Sequence, residues 1–166
     1  MKLYKKISIL VLILNMFIST SLFSQDNSSQ KITYSKSVEI DFSKTDLKNN
    51  AFVWFQSYFK NASSIISKNT ETELIANPHF RILNPKSEKG IQTTAGIIQY
   101  TIKIHFSEGK YTYELTDFYL KQTLRYPIEN WKDKSSPDYK QKYVYYLEQV
   151  DIYAKQTIAS LERAMK

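Results

Sequence analysis

From residue 32 the apolar positions fall on every second residue. Ile32, Tyr34, Val38, Ile40 and Phe42 alternate with Thr33, Ser35, Ser37, Glu39 and Asp41, and only Lys36 interrupts the apolar side. Alternation of period two sends successive side chains to opposite faces of a pleat, so this stretch predicts a half-buried strand. The period changes after residue 42. The run SKTD offers a serine N-cap and an acid for the first-turn amides, and a helix is predicted over 45–61. On that helix Leu47, Ala51, Trp54, Phe55 and Tyr58 share an arc of about 100°. Phe52 and Phe59 widen the stripe to about 160°, while Asn49, Gln56 and Lys60 lie opposite and Val53 is the lone apolar misfit. The segment AFVWFQSYF is therefore read as core. A ligand cage would need aromatic rings converging from several elements, and these rings form one stripe on one helix.

The alternating period returns at 64–83, which predicts a short strand, a turn around 69–71 and a longer strand, with a bulge or an edge at Pro78 because proline cannot donate to a ladder. Residues 84–90 form a turn-rich loop. A hairpin follows. Ile98, Tyr100, Ile102, Ile104 and Phe106 make one face of its first strand, and Tyr111, Tyr113 and Leu115 continue that face in the second. A two-residue turn at Glu108 and Gly109 sets the register: Phe106 opposite Tyr111, Ile104 opposite Tyr113, Ile102 opposite Leu115, and on the polar side Lys103 opposite Glu114. Residues 121–135 are a long connection with apolar groups of its own (Tyr126, Ile128, Trp131), a length that points to packing on the body or to function. The run SSPD is expected to open a last helix ending near residue 164. Its apolar face includes Tyr143, Tyr146, Val150, Tyr153 and Leu161, and Tyr145 and Ile152 point the other way as an exposed apolar pair.

Strand, helix, four strands, helix is the order that results. By layer logic this is an α+β fold, an antiparallel sheet of four to five strands with two helices on one face, order β-α-β-β-β-β-α. The chain opens with Lys2, Lys5 and Lys6, an apolar run over 7–18 and small polar residues over 19–24. This is the layout of a secretory signal peptide; the rival reading is a retained membrane anchor, for which the run is short against the roughly 20 apolar residues of a spanning helix. Cleavage is expected after Ser24, with Ser21 as the alternative. The organisation is then a signal peptide at 1–24, a disordered lead-in at 25–31 and a single α+β domain at 32–166, exported to the periplasm or secreted, with no transmembrane span once the leader is gone.

The chain has no cysteine, which removes disulfides, thiolate metal sites, a cysteine nucleophile and a lipidated cysteine anchor from consideration. The formal charge of +7 falls by three with the leader, and no dense basic block accompanies it, so nucleic acid is not an expected partner. The motifs carried by ITYSKSVEIDF, by the helix centred on AFVWFQSYF, by TELIANPHFRI and by the hairpin YTIKIHFSEGKYTYELTDF, over about residues 32–120, resemble an uncharacterised family of exported bacterial proteins, a domain of unknown function with a TATA-binding-protein-like (TBP-like) fold. The resemblance implies the fold and export. It brings no activity and no functional residues, and a shared fold does not license DNA binding.

No catalytic motif is found. Three glycines leave no phosphate-cradling loop, and no nucleophile frame surrounds any serine. His79 and His105 lack a spaced third ligand, so neither metal nor cofactor is expected. The expected function is a non-catalytic binding or interaction module of the cell envelope, taking an unknown protein or envelope ligand on the polar face of the sheet. Candidate binding residues are His79, Arg81, Lys103, His105 and Glu114, with Thr101, Thr112, Thr116 and the 121–135 segment beside them. The alternatives are a small hydrolase-like enzyme using His105 with Glu114, and a structural envelope component assembling through Tyr145 and Ile152.

Overall fold

Seven strands and three α-helices organise the described residues, 30–166, of the computed structural model. The expected leader, its cleavage site and most of the lead-in fall outside them. In chain order the elements are β1 (Tyr34–Glu39), α1 (Lys44–Tyr58), the single turn α2 (Ala62–Ile65), β2 (Ile66–Asn69), β3 (Glu73–Ala76), β4 (His79–Leu83), β5 (Thr94–Ser107), β6 (Lys110–Leu120), β7 (Tyr126–Pro127), a 3-10 turn (Ile128–Lys132) and α3 (Lys142–Ala164). All strand pairings are antiparallel. The path across the sheet is β1-β6-β5-β3-β2, with β4 on β5 and β7 on β6.

The central hairpin has the register that the alternation requires. Phe106 faces Tyr111, Ile104 faces Tyr113, Ile102 faces Leu115 and Lys103 faces Glu114. Gly109 takes φ +68°, a conformation open to glycine at no steric cost, and this keeps the two-residue turn tight. The longer strand expected before the hairpin is split at Asn77 and Pro78. β3 pairs the second half of β5 and β4 the first half. Proline has no amide to give, but its carbonyl accepts from the Tyr100 N–H at 3.1 Å, and the Asn77 amide turns to the Ile65 carbonyl at 2.8 Å. The interruption is thus satisfied at both residues.

Helix α1 begins at the SKTD cap. The Ser43 hydroxyl accepts from the Asp46 amide at 3.1 Å. The helix stops at Tyr58, three residues short of expectation. Phe59 turns extended, and Asn61 enters the left-handed region at φ +57°, where α2 starts in place of the strand expected from residue 64. Leu47, Ala51, Trp54 and Phe55 are buried, whereas Val53 is 62% exposed, as the helical stripe requires. The α1 stripe meets α3 over the sheet: the Trp54 indole N–H donates to Ser160 Oγ at 3.0 Å, and Tyr58 and Thr157 share a 3.3 Å hydroxyl contact. Phe80 of the sheet stacks on Tyr153 of α3 at 3.8 Å between ring centroids. Lys36, the break in the β1 alternation, points to the same side and donates to Glu162 of α3 at 2.9 Å. Ile98, Ile102, Ile104 and Leu115 are fully buried beneath these helices.

Two expectations at the C-terminal side are corrected. Helix α3 starts at Lys142, not at the SSPD run. There the polar side chains satisfy tight turns instead, with Asp138 N–H donating to Ser136 Oγ and Ser135 N–H to Asp133 Oδ1, the competition that short polar residues offer to a helix. The Tyr145 and Ile152 pair is also unequal. Tyr145 is half-buried and its hydroxyl accepts from Gln92 Nε2 at 3.1 Å, whereas Ile152 is exposed.

Candidate functional site

Both helices lie on one face of the sheet, and the other face carries the polar half of every alternation. All five candidate residues sit there, on two separate stretches. His79 and Arg81 are exposed on β4, opposite Gln99 and Ile97. Lys103, His105 and Glu114 lie toward the hairpin end, and His105 faces Glu73. About six residues of β5 separate Gln99, the partner of His79, from His105 itself, a distance of about 20 Å at the rise of a strand. The histidines do not converge. Among the described residues no group of three metal-ligating side chains comes together.

The hairpin-end residues are held by one another. The Lys103 ammonium donates to Glu114 Oε1 at 3.0 Å. His105 Nε2 lies 3.3 Å from Glu73 Oε1, and Lys68 pairs with the other oxygen of Glu73. Hydrogen bonding from Lys68 is the main reason that the Glu73 carboxyl is held below its ordinary value. Across to β1, Ser37 and Thr112 share a 2.9 Å hydroxyl contact. His105 and Glu114 therefore have different partners, and the geometry does not join them as an acid–base pair.

At the opposite end of the same face the sheet becomes concave. Between Gln99↔Tyr119 and Thr101↔Thr116 the register slips, so that Tyr100 of β5 is opposed by two residues, Asp117 and Phe118. This is a β-bulge. Asp117 takes φ +55°, a left-handed conformation that aspartate tolerates better than most residues. The extra residue lets Thr116 and Asp117 both stay off the core side, while Phe118 returns to it at 1% exposure. Bulges re-aim side chains, and here the result is a groove of about 590 Å³ beside Asp117, within the range of roughly 300–1,000 Å³ common for ligand sites.

Five chain segments build the groove. Its floor is Gln99 and Thr101 of β5, with the Thr101 hydroxyl donating to Asn77 Oδ1 at 3.2 Å. One wall is the Tyr119 ring, over which the Arg125 guanidinium lies 4.9 Å from the centroid, a cation–π geometry. Another wall comes from the segment after β6. Glu129, only 6% exposed, is on the 3-10 turn and accepts the Ile32 amide at 2.9 Å. The incoming chain closes the rim: Lys31 pairs with Asp117 at 2.6 Å, and Thr33 shares a 3.0 Å hydroxyl contact with Thr116. The hydrogen bond to Asp117 holds the Lys31 ammonium above its ordinary pKa. The Asn77, Gln99 and Asn130 amides, with Phe118 and Pro127, complete the lining. Sequence reasoning pointed to this face, to Thr101 and to the 121–135 segment, but not to Asp117, Tyr119 or Glu129. One signal was legible: the apolar spacing in β6 jumps from two to three between Leu115 and Phe118.

A second cleft, of about 340 Å³, lies between Trp131 and the start of α3. Its aromatic rings pack on each other, Trp131 stacking on Tyr143 at 5.3 Å with 2% of its surface exposed, so it is read as the seam that docks the 128–132 turn.

Among the described residues, one antiparallel sheet with two helices on its apolar side and a grooved face that neither helix covers define an α+β protein of TBP-like architecture. The chain belongs to the family described as a domain of unknown function (DUF4468) with TBP-like fold, whose model matches residues 34–121. Two solved structures share the architecture. A TBP-like protein from Parabacteroides distasonis aligns with a TM-score of 0.62 at 15% identity, over 81% of this chain and 92% of that one. A DUF4468 family protein from Bacteroides ovatus aligns with a TM-score of 0.65 at 16% identity, over 81% of this chain and 86% of that one. At these identities the likeness is one of fold. Among curated proteins, none matches the chain.

Proposed function

We propose that the protein is an exported, non-catalytic binding module that captures its ligand on the bare face of the sheet, chiefly in the groove at the Asp117 bulge. The leader-like pattern of residues 1–24 supports export: a basic start, an apolar run shorter than a spanning helix and small residues follow in the order of a secretory signal. The single observation that carries the binding role is the groove itself: concave, with polar and apolar walls, lined from five segments and placed where, among the described residues, no α-helix covers the sheet. Nucleic acid is not the proposed ligand, since the groove sets Asp117 and Glu129 against Lys31 and Arg125 and offers no basic stripe. Envelope proteins and envelope glycans are the two sources of ligand this reading admits.

Two variants divide the face. Arg81→Ala with Lys103→Ala and His105→Ala strips the exposed charges; Asn77→Ala with Thr101→Ala strips the groove floor. Hydrogen exchange of the purified protein, with and without an envelope extract, is the measurement. Slowed exchange over 97–101 and 116–130, lost in one or both variants, is expected. Protection confined to the outer side of α3, or equal in the wild type and both variants, would overturn the reading.

A further inference from the structure

We infer that the groove at the Asp117 bulge binds a neutral oligosaccharide. This deepens the binding-module reading and rests on it. The first argument is charge. The groove holds two cations, Lys31 and Arg125, and two anions, Asp117 and Glu129, and each already has company within the protein. Lys31 and Asp117 are paired at 2.6 Å, Glu129 accepts the Ile32 amide, and Arg125 lies over Tyr119. An anionic ligand would approach two carboxylates and a cationic one two basic groups, and like charge at close range is how a site excludes a ligand. A ligand without charge meets neither penalty.

The second argument is hydrogen-bonding type. Beyond the charged groups and the apolar surface of Phe118, Tyr119 and Pro127, the lining is amide and hydroxyl: Asn77, Gln99, Asn130 and Thr101. Amides carry donors and acceptors on one rigid fork, and hydroxyls serve as either. That set matches a ligand dense in hydroxyl groups, each of which also donates and accepts. It does not match an acyl chain, which would leave these groups desolvated and unpaired.

The third argument separates sugar from peptide. Extended peptides are commonly read by adding a strand to a free sheet edge. The groove floor is β5, flanked by β6 on one side and by β3 and β4 on the other, so its backbone groups are spent on the ladder. Recognition there belongs to side chains. The Tyr119 ring and Pro127 supply the complementary apolar surface. A pyranose ring is amphipathic, with C–H groups on its faces and hydroxyls around its rim, so it suits a site with an aromatic wall and a polar floor.

The test is a titration of the purified, isotope-labelled protein with maltohexaose, cellohexaose, laminarihexaose, xylohexaose, mannohexaose and the fully N-acetylated chitohexaose, followed by amide resonances and calorimetry. An oligogalacturonate and a neutral serine–glycine–tyrosine peptide are run alongside. At least one neutral oligosaccharide is expected to shift the Gln99, Thr101, Asp117 and Tyr119 amides. Tyr119→Ala should then weaken it at least about tenfold, the loss typical of a central aromatic contact, whereas Tyr119→Phe should retain it. Gln99→Ala, a half-buried floor position, is the second variant should Tyr119→Ala not fold, with a loss of similar sign expected. The inference is overturned if no neutral oligosaccharide moves those amides, or if both alanine variants bind as the wild type does. Occupation of the groove by the peptide or the oligogalacturonate in place of a neutral sugar also overturns it, but leaves the binding-module reading standing.

Discussion

Glu129 is the hinge between fold and groove, and its removal makes a quantitative test. Its carboxylate is nearly buried and accepts the Ile32 amide at 2.9 Å, fastening the chain just ahead of β1 to the 3-10 turn ninety-seven residues later. A hydrogen bond to a charged group contributes about 1.5–3 kcal/mol. In Glu129→Ala the freed Ile32 amide is half-exposed and regains water, which offsets part of the loss, so a net cost of about 1–2 kcal/mol is expected. Glu129→Gln keeps the shape and a neutral acceptor, and should cost about half as much. The effect is local, because β1 from Tyr34 onward is held by β6. Amide hydrogen exchange is the assay. Exchange at Ile32 should quicken by about five- to thirtyfold in Glu129→Ala, less in Glu129→Gln, while amides of Tyr34–Glu39 keep their protection. Unchanged exchange at Ile32 in the alanine variant would refute the claim that this carboxylate pins the rim of the groove.

Three further outcomes are expected. Trp54→Ala should cost about 3–5 kcal/mol in urea unfolding, because the ring is 3% exposed and packs on Phe55, Tyr58 and Phe59; a loss below about 1 kcal/mol would mean that the aromatic stripe is not core. Burial pushes the Tyr34 and Tyr111 phenols up to about 12 from an ordinary 10.0. Their folded pKa values are raised, so their contribution to stability is complete below pH 10 and fades as pH rises through about 12; thermal unfolding across that window, with tyrosinate absorbance, checks it. Glu162 is held below its ordinary 4.5, first by hydrogen bonding from Lys36 and also by Tyr113. Its contribution is therefore complete above that value and lost as pH falls through the depressed one, and Glu162→Gln should remove this part of the acid sensitivity, read as the shift in melting temperature between pH 6 and pH 3.

The elements that repeat a local rule were legible in the chain. The Ser43 cap, the α1 stripe and the hairpin register each follow from a few consecutive residues, because helix and strand periodicities are local and a two-residue turn admits one register. Lys36 looked like an error in a strand and is an ion-pair partner for α3, which only the packed fold can show. Tertiary context also decided the ends: Phe59 is drawn into the core and halts α1, and the SSPD polar groups spend themselves on turns. The candidate residues lie on the face without helices, Lys103, His105 and Glu114 at the end where charges pair off and His79 and Arg81 on β4. The groove was hidden for a different reason. Lys31, Asn77, Gln99, Asp117 and Glu129 are scattered over nearly a hundred positions, and what assembles them is one inserted residue in β6 together with the docking of the 128–132 turn.

That assembly straddles the edge of the family match. The family match spans residues 34–121 and so contains the floor and the aromatic wall: Asn77, Gln99, Thr101, Asp117 and Tyr119. Lys31, Arg125, Pro127, Glu129 and Asn130 lie outside it, yet they carry three of the four charges of the lining. A floor of amides and hydroxyls fixes the general chemistry of a ligand, because it sits on strands whose register tolerates no slip. The rim sits on the incoming chain and on a connecting turn, where substitution disturbs little of the core. On the proposed binding reading, specificity is set at the rim. A change of charge at Lys31 or Arg125 would alter which ligands are rejected without unfolding the sheet, since Lys31 is mostly exposed, its pair with Asp117 lies at the surface, and exposed pairs contribute at most about 1 kcal/mol to stability.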